Sequence, residues 1–148
     1  MNKVEAAMNF FGSYNCAQTV LVTYAEDYGL DKNKALQAAL GFGGGIGRLQ
    51  DICGAVSGAV ITLGLSSGFK EGDGRDKIDA VYTKVRSFID DFTSQKGTIK
   101  CRDLLGCDLS SEEGNKFFRD NNLRDKNCRE YIRLCCELLD KHLGVCRA

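Results

Sequence analysis

The sequence predicts an all-α fold: a single compact multi-helix domain over residues 1–148, built around a central buried helix rich in glycine and alanine. Three observations carry this expectation. The 148 residues include no proline and few runs of β-branched residues, so helix breakers are scarce and strand formers are not concentrated anywhere. Several segments repeat apolar residues at i, i+3, i+4 and i+7, the period of a helix face. The stretch 52–66 is nearly apolar all round, as a helix covered on every side must be. A chain of this length buries roughly 70% of its unfolded surface, enough for one self-supporting core. No internal repeat, low-complexity tract or linker divides it.

The elements follow in order. "KVEAAMNFF" reads as a short amphipathic helix stopped by Gly12. "NCAQTVLVTYAEDYG" opens on Asn15 as a cap, carries Ala17, Val20, Leu21 and Tyr24 at helical spacing, and closes on Gly29. "DKNKALQAALG" has Asp31 as its cap and stops at Gly41. A glycine loop over 41–47 leads to Asp51, the expected cap of a helix from 52 to about 66. There Gly54 and Gly58, beside Ala55 and Ala59, leave a face bare enough for a neighbouring backbone or a bulky group. "SSGFKEGDG" is an exposed loop. "RDKIDAVYTKVRSFIDDFTSQKG" is the clearest amphipathic helix, with Ile78, Val81, Tyr82, Val85, Phe88, Ile89 and Phe92 on one stripe. "CRDLLG" is a turn or two, "SSEEGNKFFRDNN" starts a further helix, and the last runs from Asp125 to about Leu143, ending at Gly144.

Twenty basic residues balance twenty acidic ones, and the isoelectric point is near 6.6. No global field recruits nucleic acid or an anionic membrane. The first residues lack the basic, apolar and small-residue regions of a signal peptide, and the apolar stretch 52–65 falls short of the ~20 residues that span a bilayer. A cytoplasmic protein is expected. In that reducing compartment the eight cysteines are metal ligands, redox groups or core fillers rather than structural disulfides.

Four of these cysteines fall at predicted helix starts. Cys16 follows the Asn15 cap, Cys53 lies two residues after Asp51, Cys101 opens its turn, and Cys128 lies three residues after Asp125. A helix N-terminus offers unpaired N–H groups and a positive dipole end, which favour thiolate, the form that binds metal or attacks a disulfide. No CxxC occurs, which argues against a zinc ribbon, a thioredoxin-type site and the usual ferredoxin runs. If the four thiols meet, the tertiary fold assembles them; the alternative is core filling. Cys107 is a spare ligand or a resolving thiol. Adjacent Cys135 and Cys136 diverge by about 100° on a helix and cannot both face one site; core packing is the expected role of Cys135. Cys146 is expected to be a terminal thiol.

"GFGGGIGR" fits neither GxGxxG nor a P-loop. Its Gly43, Gly44 and Gly45, with Gly54, are candidate contacts to a prosthetic group, their amides aimed at sulfur or an anion; the alternative is a tight interhelical turn. His142, the only histidine, is expected on the surface near a helix C-terminus. Phe10, Phe11, Tyr14, Phe42 and Phe69 could shield a redox centre.

The order Cys16, "GFGGGIGR", "CGAVSG", Cys101 with "LLG", "CDLSSEEG" and a late Cys128 resembles the C-GCAxxG-C-C family of redox-active proteins, named for four cysteines and a CGAxxG-type motif. The likeness covers nearly the whole chain. A related domain in split-Soret cytochromes is associated with an iron–sulfur centre, so the resemblance implies a redox or cluster-binding role with Cys16, Cys53, Cys101 and Cys128 as the family positions. The haem-attachment CxxCH is absent, and the haem role does not transfer.

The leading expectation is an electron carrier binding a [2Fe–2S] or [4Fe–4S] cluster through those four cysteines. Its partner would be another redox protein, with no nucleic acid or membrane involved and a homodimer as one further arrangement. The alternatives are a thiol–disulfide oxidoreductase in which Cys53 attacks, a structural Zn(Cys)₄ site, or no bound metal.

Overall fold

The computed structural model describes residues 1–145, and among them eight α-helices and no strands. The helices are α1 (Lys3–Phe10), α2 (Cys16–Ala25), α3 (Lys32–Ala39), α4 (Gly54–Ser66), α5 (Arg75–Lys96), α6 (Cys101–Leu105), α7 (Glu112–Asp120) and α8 (Arg129–Leu143). A π-helical turn, Arg124–Cys128, runs into α8. Cys146 lies outside the described residues.

Local chemistry explains where the early helices begin. The Asn15 side chain accepts from the Gln18 N–H at 2.9 Å, and Gln18 answers by accepting from the Asn15 N–H at 3.1 Å. This reciprocal box satisfies two groups that an open helix end leaves bare. Asp31 caps α3 with a single bond, its side chain accepting from the Lys34 N–H at 2.9 Å. The α2 segment ends in a 3₁₀ turn, Glu26–Tyr28, closed by left-handed Gly29.

The centre of the domain is a pair of helices rather than one. In α4, Gly54 through Ala59 are buried, as are Thr62 and Leu63; in α2, eight residues from Ala17 to Ala25 are buried. Glycine allows the two backbones to touch. A Cβ on Gly58 would lie 2.6 Å from the Ala17 carbonyl oxygen, and one on Gly54 would lie 3.2 Å from the Ala17 nitrogen. The bare face of α4 is therefore filled by the α2 backbone. Helices α1, α5 and α8 complete the main core, with Phe88, Phe92, Ile132, Cys135 and Leu139 fully buried.

Four expectations are corrected. Asp51 does not cap α4: its carboxylate pairs with Lys100 at 3.0 Å, and Cys53 occupies the cap position with no side-chain cap bond. Asp125 does not cap the last helix either; it lies inside the π turn and pairs with Arg129 at 2.8 Å. Tyr82 is 62% exposed, because only the C-terminal half of α5, with Phe88 and Phe92, packs on the core. His142 is not a surface residue: 11% of its side chain is exposed, where it bonds Asp91 at 2.8 Å and packs on Phe88.

Candidate thiol site

Cys53 and Cys101 are brought side by side by a short antiparallel crossing of the segments before α4 and α6, bridged at Ile52 and Lys100. The Cys53 N–H donates to the Ile99 carbonyl at 2.7 Å, Cys101 N–H to the Asp51 carbonyl at 2.7 Å, and Arg102 N–H to the Gln50 carbonyl at 3.2 Å. Asp51, read as a helix cap, is instead part of this clasp. Cys16 enters from the first turn of α2 and Cys128 from the π turn ahead of α8.

All four cysteines line one cavity of about 710 Å³. Gly43, Gly44, Gly45 and Gly54 line it as well, with Phe11, Tyr14 and Tyr131 among its aromatic walls. Phe10, Phe42 and Phe69 are not on its wall; Phe69 is 47% exposed in the loop after α4. Cys107 is half-buried in a small cluster with Cys101 and Cys128 but does not line the cavity. Cys135 is fully buried and lies near enough to Cys53 and Cys16 for their charges to bear on it. Cys136 belongs elsewhere, beside Tyr24 and Asp140.

Electrostatics separate the four thiols. A hydrogen bond from the Cys128 thiol holds Cys16 below the usual thiol range, and the Arg124 guanidinium lowers it further against the effect of burial. The same bond, with burial and the neighbouring sulfurs, pushes Cys128 up. Burial raises Cys53 to about 12, with the Cys16 charge adding to it, although the Val56 and Ala55 amides at the start of α4 point at its sulfur. Burial also raises Cys101 to about 11, opposed by a hydrogen bond from Gln50. The expectation that all four helix starts favour thiolate therefore holds only at Cys16. Two helix-start amides cannot offset the loss of water around a buried sulfur. At Cys128 no free helix end exists, since the π turn runs straight into α8.

The glycine loop is a left-handed turn. Gly44, Gly45, Ile46, Gly47 and Arg48 have φ of 66°, 73°, 68°, 56° and 66° in succession, and Gln50 follows at 56°. Ile46, Arg48 and Gln50 carry side chains in a region that disfavours them by roughly 1–2 kcal/mol each. Closure holds them there. Gly47 N–H bonds the Gly41 carbonyl at 2.9 Å, Arg48 the Gly43 carbonyl at 3.1 Å, and Gln50 and Asp51 the Gly44 and Gly45 carbonyls at 2.9 Å. The Gly43, Gly44 and Gly45 carbonyls are thus bonded within the loop, and the Gly43 N–H reaches the Leu40 carbonyl at 3.5 Å. A Cβ on Gly45 would meet the Asp51 nitrogen at 2.7 Å, and one on Gly43 would meet Asn15 Nδ2 at 2.5 Å. The loop is both a tight turn and a cavity wall.

Three contributors escaped sequence reading: Gln50, Arg48 and Arg124. Gln50 is 5% exposed; its Nε2 donates to the Cys107 carbonyl at 2.9 Å and its Oε1 accepts from Leu109 N–H at 2.7 Å. Among the described residues, Arg48 and Arg124 are the only charged ones on the cavity lining. Nothing in their local sequence marks them; Arg124 stands between Leu123 and Asp125 in "NNLRDKN". Among the described residues, no three His, Cys, Asp or Glu side chains are arranged to hold a single metal ion.

A helical domain that gathers four thiols from four separate elements onto one cavity is a cysteine-site protein. The family model described as "Putative redox-active protein (C_GCAxxG_C_C)" matches residues 14–142, a span containing all four cysteines. The chain belongs to that family. No curated protein and no solved structure matches it. No helix among the described residues is long and apolar enough to cross a membrane.

Proposed function

We propose that the cavity binds an iron–sulfur cluster, [2Fe–2S] or [4Fe–4S], through Cys16, Cys53, Cys101 and Cys128, and that the protein transfers electrons to a redox partner in a cytoplasmic, thiol-reducing setting. One observation carries this reading: the four thiols share a cavity whose charged lining residues, among those described, are cations, Arg48 and Arg124. A cluster held by four thiolates is an anion, and the donor set matches its preference for sulfur. The Zn(Cys)₄ alternative requires all four sulfurs to be drawn to a single centre. A cluster distributes its thiolates over different irons.

When bound, the cluster supplies a one-electron couple. This chain's residues do the rest. Cys16 offers the thiol readiest to ionise, while Cys53, Cys101 and Cys128 give up protons on ligation. The Ala55 and Val56 amides at the Cys53 sulfur and the Gln50 amide at Cys101 stabilise sulfur carrying negative charge. Phe11, Tyr14, Leu104, Leu105 and Tyr131 exclude water from the walls.

The test is to purify the protein without oxygen from iron-replete cells, or to reconstitute it with iron and sulfide, and to record its visible and electron paramagnetic resonance spectra with iron and sulfide assays. Absorption from sulfur-to-iron charge transfer is expected. Single Ser replacements of the four cysteines should lower bound iron or shift the spectrum, whereas Cys136→Ser should not. A colourless, iron-free protein after both preparations overturns the reading.

A second reading has its own support. Cys16, held low by the Cys128 thiol, is placed to attack a disulfide substrate. The attack forms a mixed disulfide and releases one substrate thiolate. Cys128 then attacks Cys16, releases the second thiolate and leaves a Cys16–Cys128 disulfide. Cys53, the attacking residue expected from sequence, is disfavoured in this role by burial. A Cys16–Cys128 disulfide that equilibrates with a glutathione buffer in iron-free protein would favour this reading over the cluster.

A further inference from the structure

We propose that the thiol cavity also binds a small organic acid, with Arg48 and Arg124 holding its oxyanion group and the aromatic walls receiving its apolar body. The proposal takes the cavity as the functional site but does not depend on the metal. At about 710 Å³ the cavity has the volume of a metabolite pocket, within the usual range of roughly 300–1,000 Å³. A cluster core of a few atoms does not account for that space.

The charge pattern identifies the ligand class. Among the described residues no carboxylate lines the cavity, and two guanidiniums do. The acidic residues near them in the chain are already engaged: Asp51 with Lys100 at 3.0 Å, Asp108 with Arg102 at 3.3 Å, and Asp125 with Arg129 at 2.8 Å. Among the described residues no ion pair includes Arg48 or Arg124. A guanidinium presents a planar fork of donors that fits carboxylate and phosphate oxygens in pairs. Arg124 is held over the Phe11 ring, 5.6 Å from its centroid, which fixes the head without consuming its N–H donors. Arg48 ends the consecutive run of left-handed residues that starts at Gly44. That strained backbone, persisting because the loop over-determines it, is of the kind that collects at ligand-binding walls. Asn15 and Asn115 add polar groups to the lining, and Phe11, Tyr14 and Phe118 add apolar surface.

The test uses the full chain, metal-free and cluster-loaded in parallel. Succinate, benzoate and inorganic phosphate are the probes, separating aliphatic acid, aromatic acid and bare oxyanion. Binding is followed by titration calorimetry and by amide chemical shifts of the metal-free protein. Expected is saturable binding of an organic acid in preference to phosphate, weakened by added salt, with shifts concentrated at 43–48. Arg48→Gln, at an exposed position, should weaken binding at least about tenfold, and adding Arg124→Gln should abolish it; circular dichroism checks that both variants fold. Three results overturn the proposal: no saturable binding of any probe, binding unchanged in Arg48→Gln, or shifts confined to another surface. If the two arginines serve only to neutralise a cluster, their replacement shifts its potential while no acid binds. Iron content, measured on the same samples, reports the fate of the cluster reading independently.

Discussion

Gln50 Oε1 accepts the Leu109 N–H at 2.7 Å, so a residue at the end of the glycine loop fixes the chain beyond Cys107. Through Nε2 the same side chain holds the Cys107 carbonyl at 2.9 Å. Replacing Gln50 by Ala leaves both backbone groups without this partner, at about 1–3 kcal/mol for each that stays buried and unpaired. The Leu109 amide should then exchange with deuterium faster than in the parent. Unchanged stability and exchange would show that water replaces the side chain at no cost.

The α2–α4 contact yields a paired prediction. Gly58→Ala places a Cβ 2.6 Å from the Ala17 carbonyl oxygen, a backbone atom that cannot swing aside, and should destabilise by about 1–3 kcal/mol. Gly64 in the same helix has nothing within 4 Å of its added Cβ. Gly64→Ala should stabilise by about 0.4–1 kcal/mol by restricting the unfolded chain. Chemical denaturation of the two variants should give opposite signs. By the same contact Gly54→Leu should be worse than Leu65→Ala, since its Cβ already meets the Phe42 oxygen at 3.0 Å.

Cys16 should be the first cavity thiol to react. In reduced, metal-free protein its rate of alkylation by iodoacetamide should rise with a midpoint below that of an ordinary thiol, because Cys128 and Arg124 favour its thiolate. Cys128→Ala removes the hydrogen bond and should move the midpoint upward. Mass mapping of the first-labelled peptide decides it; Cys53 or Cys101 labelling first would contradict the electrostatics described above.

Alkali should destabilise the fold. Burial raises Cys136 to about 12, and burial together with the Cys136 and Asp140 charges raises Tyr24. The folded state keeps these protons when the unfolded chain has lost them. Stability is therefore fully present below the unfolded thiol value of about 8.5 and falls as pH rises from there towards 12. Urea midpoints between pH 8 and 11 should decline. Tyr24→Phe loses the bonds to Asp140 and the Cys136 carbonyl, 2.8 and 2.9 Å, and should be weaker at pH 8 with a shallower alkaline slope.

The sequence by itself determined the helices and the set of thiols. Helical periodicity and caps are local: Asn15, Asp31 and Gly29 act within a turn of where they stand, so their residue types suffice to read them. The bareness of Gly54 and Gly58 was equally legible, since only close approach uses it. Tertiary structure decided what the thiols become. Whether Cys53 ionises depends on how much water and which sulfurs surround it, and those neighbours come from elements distant in the chain. Asp51 and Asp125 have the composition of caps, yet long-range pairing at Lys100 and a π turn at Arg124–Cys128 override that preference. Arg48 and Arg124 look like ordinary surface charges until the fold turns both towards one cavity. Desolvation and charge act through space, and a linear pattern records only what lies within a few bonds along the backbone.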